Sequence, residues 1–246
     1  MSSQVETNRA NISKNRAELF LAECEVMQNK ANAYLARSLV QENQALIAKN
    51  YNSAFMGNRQ LANQNTEDLF RNRYAIYRNM TVDASSAVQV NYREAMTNRA
   101  KIEFLEHRSS LNTKVLEITL EMAHINAQLI GVNAKVMDAN QGILDFNASC
   151  ISKNSDLLKS GISAADASPE SNAAIIAENA NRIATIRGRA AENRDRVNAV
   201  QVEAEGNRVK IMTNTELIYE RRASIMANAA NIKANQQAVA QFIGNV

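Results

Sequence analysis

Apolar residues recur at every seventh position along almost the whole chain, and most are followed three residues later by an asparagine. In the first stretch the apolar positions are Ile12, Leu19, Val26, Val40 and Ile47. In the middle they run from Val88 through Ile102, Leu116, Ile130, Met137 and Leu144 to Leu158, and in the last from Ile176 through Ile183, Val197, Ile211, Ile218 and Ile225 to Val239. A sustained seven-residue period of this kind predicts helices packed along a coiled-coil seam, with the apolar residue at heptad position a and the asparagine at d. The polar seam is carried by Asn8, Asn15, Asn29, Asn65 and Asn72 in the first stretch. Asn91, Asn98, Asn133 and Asn147 carry it in the second, and Asn179, Asn193, Asn207, Asn214, Asn228 and Asn235 in the third. Counting every phase-locked position, 24 of the 32 asparagines obey the repeat. The pattern is therefore the main architectural statement the chain makes.

The phase breaks at three places. One extra residue enters near Gly57. Between Asn79 and Asn91, Asp83 is placed to cap a new helix. Between Asn154 and Asn172, Gly161 suits a helix C-terminus, and Ser168-Pro169-Glu170 reads as N-cap, first helical residue and acidic first turn. These breaks predict an all-α fold with helices near 5–80, 84–160 and 169–243. Each is about 75 residues, or about 110 Å at 1.5 Å per residue. Equal lengths and short turns predict a single domain over 1–246, an elongated antiparallel three-helix coiled-coil bundle running up, down and up. Folding the first helix back on the second pairs Ile76 with Val88, Leu69 with Ala95 and Ile12 with Ile151. The same register brings Asn72 near Asn91, Asn65 near Asn98, Asn29 near Asn133 and Asn15 near Asn147. It leaves Cys24 and Cys150 about 18 Å apart along the axis, too far for a disulfide.

Buried amides must be satisfied, because each one left without a partner costs about 1–3 kcal/mol. An asparagine offers two donors and an acceptor, so amides from neighbouring helices are expected to pair in layers between the apolar layers and to lock the register. The Ile-x-x-Asn spacing resembles the polar layers of trimeric autotransporter stalks. That resemblance covers the spacing alone and implies layers able to hold an anion.

Composition agrees with long helices: seven Gly, one Pro, no Trp and 5% aromatic residues. Net charge is +3 with the signs interspersed, and no basic block points to nucleic acid. The first ten residues lack an apolar core of the secretory kind, and no run is long enough to span a membrane. The expected location is cytoplasmic, or outside by a route needing no such signal.

Catalytic chemistry is sparse. Glu121-Met122-Ala123-His124 spells Glu-x-x-His, but His107 has Phe104 where a second such motif needs Glu. No phosphate loop, nucleophile elbow or Cys-x-x-Cys occurs. The expectation is a chain without enzymatic activity, metal, cofactor or small-molecule substrate. Cys24 falls at an outer position and Cys150 in an apolar stripe, where it reads as a small core residue. Arginines that follow the d asparagine, such as Arg73, Arg99, Arg194 and Arg208, read as a solvated, ion-paired flank.

Apolar residues exceed what the seam uses. Position b of the first helix holds Phe20, Met27, Tyr34, Met56, Phe70 and Tyr77, and that of the third holds Met212, Tyr219 and Met226. Position b lies far from the a/d seam, so these side chains are the candidate assembly interface. The sequence thus predicts a structural rod that packs with copies of itself as a homo-oligomer, with its chain ends held by neighbours. A scaffolding rod for another protein is the alternative, and a membrane-active helical protein a third.

Overall fold

The computed structural model describes residues 3–161, 163–165 and 167–244. The expectation about ordered chain ends falls on residues outside that range. The fold is all-helical: α1 (Ser3–Tyr51), a π-helical turn (Asn52–Asn58), α2 (Arg59–Arg78), α3 (Ala87–Ser160) and α4 (Pro169–Gly244). No strand occurs among the described residues. The extra residue near Gly57 is absorbed by the π turn, so the helix continues through it. A π turn takes up one residue and keeps the helix beyond it on the same face.

The ends of α3 and α4 arise from local chemistry. Ser168 caps α4 reciprocally with Ser171: Ser171 N donates to Ser168 Oγ at 3.1 Å, and Ser168 N donates to Ser171 Oγ at 2.9 Å. Gly161 ends α3 with a positive φ of 74°, which costs glycine little. The start of α3 corrects the expected cap. Ser86, rather than Asp83, is the N-cap and accepts from Gln89 N. Asp83 instead accepts from Ser85 N and Ser85 Oγ at 2.9 and 2.7 Å, so α3 begins at Ala87.

The chain divides into two compact units. The first comprises Met1–Asn65 with Ala165–Asn231, and the second Thr66–Ala164 with Ile232–Val246. In the first, α1 and α4 run parallel. On α4 the a positions Ile176, Ile183, Ala190, Ala204 and Ile211 are buried. They meet the d positions of α1, where Asn8, Ala22, Ala36 and Asn43 are buried. The a positions of α1, from Ile12 to Ile47, remain exposed.

In the second unit α2 and α3 run antiparallel, in a register different from the expected one. Phe70 stacks on Phe104 with ring centroids 4.5 Å apart, where the expected register would give it Glu94. Arg73 pairs with Glu103 at 2.5 Å and Arg108 with Glu67 at 3.7 Å. Val88 is 80% exposed and Ile76 48%, so this pair does not form. The turn from 79 to 86 is longer than expected and displaces the start of α3. The face of α3 that packs is also different. Thr97 and Ala100 are buried and Val90, Arg93 and Phe104 half-buried, while Asn91 and Asn98 are exposed. Beyond Phe104 no residue of α3 is buried.

Candidate assembly interface

Asparagines of α1, the π turn and the start of α2 build the contact with α4, and their partners are backbone carbonyls. The Asn15 Nδ2 donates to the carbonyl of Ile176 at 2.9 Å, Asn29 to Ala190 at 2.6 Å and Asn43 to Ala204 at 2.7 Å. Asn8 donates to Pro169, Asn50 to Ile211, Asn58 to Ile218 and Asn65 to Ile225. In the second unit Asn72 continues the series onto Ile232 at 3.1 Å. A carbonyl has two lone pairs. Each acceptor can therefore keep its own helical N–H and take a second donor from outside.

This corrects the expected pairing of amide with amide. Asn15, Asn29, Asn65 and Asn72 reach α4 backbone rather than Asn147, Asn133, Asn98 and Asn91. Asn133 and Asn147 are exposed, as are Asn179, Asn193, Asn207, Asn214, Asn228 and Asn235. The constant separation makes the ladder a register device. Donor and acceptor are 161 residues apart from Asn8 to Asn50, and 160 apart from Asn58 to Asn72. The π turn between Asn50 and Asn58 accounts for the change. Ala22 and Ala36 occupy the two d positions that lack asparagine. Small residues there, and Ala190 and Ala204 as the acceptors for Asn29 and Asn43, let the backbones approach closely enough for the short amide to reach. Asn50 is satisfied on its other side by Thr215 Oγ1 at 3.0 Å, whereas the buried Asn58 Oδ1 has no partner.

Ion pairs flank one side of this ladder. Arg187 bridges Glu18 and Glu25 at 2.5 and 3.2 Å, and its pKa is raised by hydrogen bonds first to Glu25 and then to Glu18. Arg208 pairs with Glu42 at 2.8 Å. These pairs are half exposed and screened by water, so they add little to the contact.

Both sides of the ladder carry open hollows, with about 820 Å³ on the ion-paired side between Lys14 and Arg194; the other side is the apolar one. Ile12, Leu19, Val40 and Ile47 of α1 face Asn179, Ile186, Val200, Asn207 and Asn214 of α4 across a groove. Two hollows in it measure about 360 and 550 Å³. One wall is the a row of α1 and the other the d row of α4.

Of the b-position residues, Phe20, Met27, Tyr34, Met56, Met212, Tyr219 and Met226 are exposed. Phe70 and Tyr77 are half-buried, and Phe70 belongs to the stack on Phe104. Cys24 is exposed, Cys150 is half-buried rather than in a core, and both are free. Among the described residues no three His, Cys, Asp or Glu gather to hold a metal, and no helix is long and apolar enough to cross a membrane. No known family, curated protein or solved structure matches the chain.

Proposed function

We propose that the chain is a non-enzymatic structural subunit that assembles with copies of itself into a filament, tube or lattice. Its working part is a three-helix coiled coil completed when a third helix enters the α1–α4 groove. The observation that carries this reading is surface. Along α1 a whole row of apolar side chains is left uncovered: Ile12, Leu19, Val26, Val40 and Ile47 are 37% to 53% exposed. The outer half of α3, with Leu116, Ile130 and Leu144, and the aromatic and Met stripe at position b are exposed as well. Exposed apolar surface on this scale marks sites that bind other protein surfaces.

The test is the mass of the full-length protein in solution, by light scattering and electron microscopy. The expected result is a particle of several chains. A particle of one chain at micromolar concentration would overturn the proposal. The b stripe is checked separately by replacing Met27 and Tyr34 together with Asp. That variant should keep its helix content and form a smaller particle, because charge in a buried contact is costly.

A further inference from the structure

We propose that the groove between α1 and α4 is filled by the outer half of α3 from a second copy, running parallel to both. This rests on the self-assembly reading above and names its partner.

Three observations lead to it. The first is where the heptad code is used. Both α1–α4 and α2–α3 carry apolar a and asparagine d positions. In the parallel pair the code forms the ladder, from Asn8 on Pro169 to Asn65 on Ile225. In the antiparallel pair it forms none: Asn91 and Asn98 are exposed, and contact is made by Phe70 on Phe104 and by Arg73 with Glu103. The asparagine rung is thus a device for parallel helices in this molecule. The second is the face that α3 presents. Its Val90–Thr97–Phe104 face packs on its own unit, and its a/d face lies roughly a third of a turn away around the helix. That face carries Ile130 and Leu144, 69% and 60% exposed, with Asn133 and Asn147 in phase. The third is length. The part of α3 without a buried residue, from Ser109 to Leu158, spans as many heptads as the stretch from Ile12 in α1 to Ala62 in α2.

A third parallel helix would repeat the chemistry already present. Asn207 and Asn214 line the groove and are placed to donate to α3 carbonyls as Asn43 and Asn50 donate to those of α4. The code of α3 goes unread in the antiparallel direction, so a second copy turned end over end supplies the parallel helix.

Cysteine cross-linking between separately labelled copies tests this, in a Cys24→Ala, Cys150→Ala background. Copies carrying only Leu19→Cys are mixed with copies carrying one cysteine at an α3 a position between Leu116 and Leu158. One α3 position should give a two-chain disulfide. Moving the groove cysteine three heptads onward, to Val40→Cys, should move the best α3 partner three heptads toward its C-terminus. A partner that moves the opposite way would overturn the parallel orientation. A disulfide formed only within single chains carrying both cysteines would give the groove to the chain's own α3. No disulfide at any position would remove α3 from the groove. Leu144→Asp guards against a folding artefact: Leu144 is exposed, so the variant should stay helical by circular dichroism and lose the two-chain product. Light scattering of the same samples separates the two readings. A multi-chain particle without cross-links defeats this inference alone, and a single-chain particle defeats both.

Discussion

The two units handle the same heptad code in opposite ways. In the first, parallel α1 and α4 approach closely at alanines, and a short polar side chain spans the gap to backbone. In the second, antiparallel α2 and α3 meet through large rings and long ion pairs. Phe70 and Phe104 stack, and Arg73 and Arg99 both reach Glu103 at 2.5 and 3.1 Å. The asparagines of α3 stand idle there. Burial of a heptad seam is therefore set by the direction and distance of the partner as well as by the period of the sequence. A ladder contact depends on every rung keeping phase, whereas a stacked contact depends on a few large side chains. The two should fail differently.

Phase errors should produce the largest effect. Deleting Ala33 turns every later residue of α1 by about 100° relative to α4. The rungs at Asn43, Asn50, Asn58 and Asn65 are lost with it. At about 1 kcal/mol each, the loss is comparable to the net stability of a typical domain. Thermal unfolding should show a collapsed or absent transition. Deleting Ser53, inside the π turn, should do the reverse. It removes the extra residue, gives an uninterrupted heptad repeat and lets one offset serve the whole ladder. Its melting temperature should equal or exceed that of the parent. If both deletions destabilise equally, the ladder is not what sets register.

The second unit should be sensitive to single rings. Phe104→Ala removes the stack on Phe70 and the cation–π contact of Arg108 at 5.5 Å. Both rings are only half-buried, so the expected loss is about 2 kcal/mol, below the figure for a fully buried phenylalanine. Hydrogen exchange should rise in α2 and the first turns of α3 and stay unchanged in α1. Faster exchange along α1 would show that the ladder depends on the stack.

Much of the helical layout was legible because it is local. Ser168, Pro169 and Gly161 mark ends by backbone preference. The phase of α4 was legible because its a positions, Ile176 to Ile232, are one continuous apolar row. The skip near Gly57 was visible as a break in that period. The rung acceptors were not legible. Every residue has a carbonyl, so a sequence marks the donor and says nothing of which backbone receives it. The a/d pattern also could not say which flank of α1 is used first, since a two-helix contact occupies only part of an a/d seam. The α2–α3 register did have a signal. Phe70 opposite Phe104, Glu67 opposite Arg108 and Arg73 opposite Glu103 agree on the register to within two residues, and cross-helix ring and charge matching would have found it. The apolar heptad pointed instead to Ile76 and Val88, which the turn keeps apart.

Single asparagines should sort by unit. Asn43 is 7% exposed and its Nδ2 lies 2.7 Å from the Ala204 carbonyl. Asn43→Ala should lower stability by about 1 kcal/mol. The cost stays modest because the carbonyl keeps its helical N–H partner. Asn133→Leu touches a position exposed in the single chain, so at concentrations where the chain is a monomer it should leave the melting temperature of the α1–α4 pair unchanged. Denaturant titration of the two variants side by side checks the contrast, and equal destabilisation would mean that the asparagines of α3 are already engaged.

The smallest expected effect lies in the turn before α3. Asp83 accepts hydrogen bonds from Ser85 through side chain and backbone, and these hold its pKa below the ordinary carboxylate value. A lowered folded pKa means the ionised form is favoured by folding. Its contribution is complete above the ordinary value and is lost as pH falls through the lowered one. The turn should therefore be unaffected by pH from neutral down to ordinary carboxylate titration, and loosen only in stronger acid. Ser85→Ala removes the larger of the two causes, the hydroxyl at 2.7 Å. The Asp83 carboxyl resonance should then titrate at higher pH, closer to an ordinary aspartate. The ladder, whose donors are amides without a titrating group, should show no change over the same range. An unshifted Asp83 titration in Ser85→Ala would mean that the backbone bond alone sets the value.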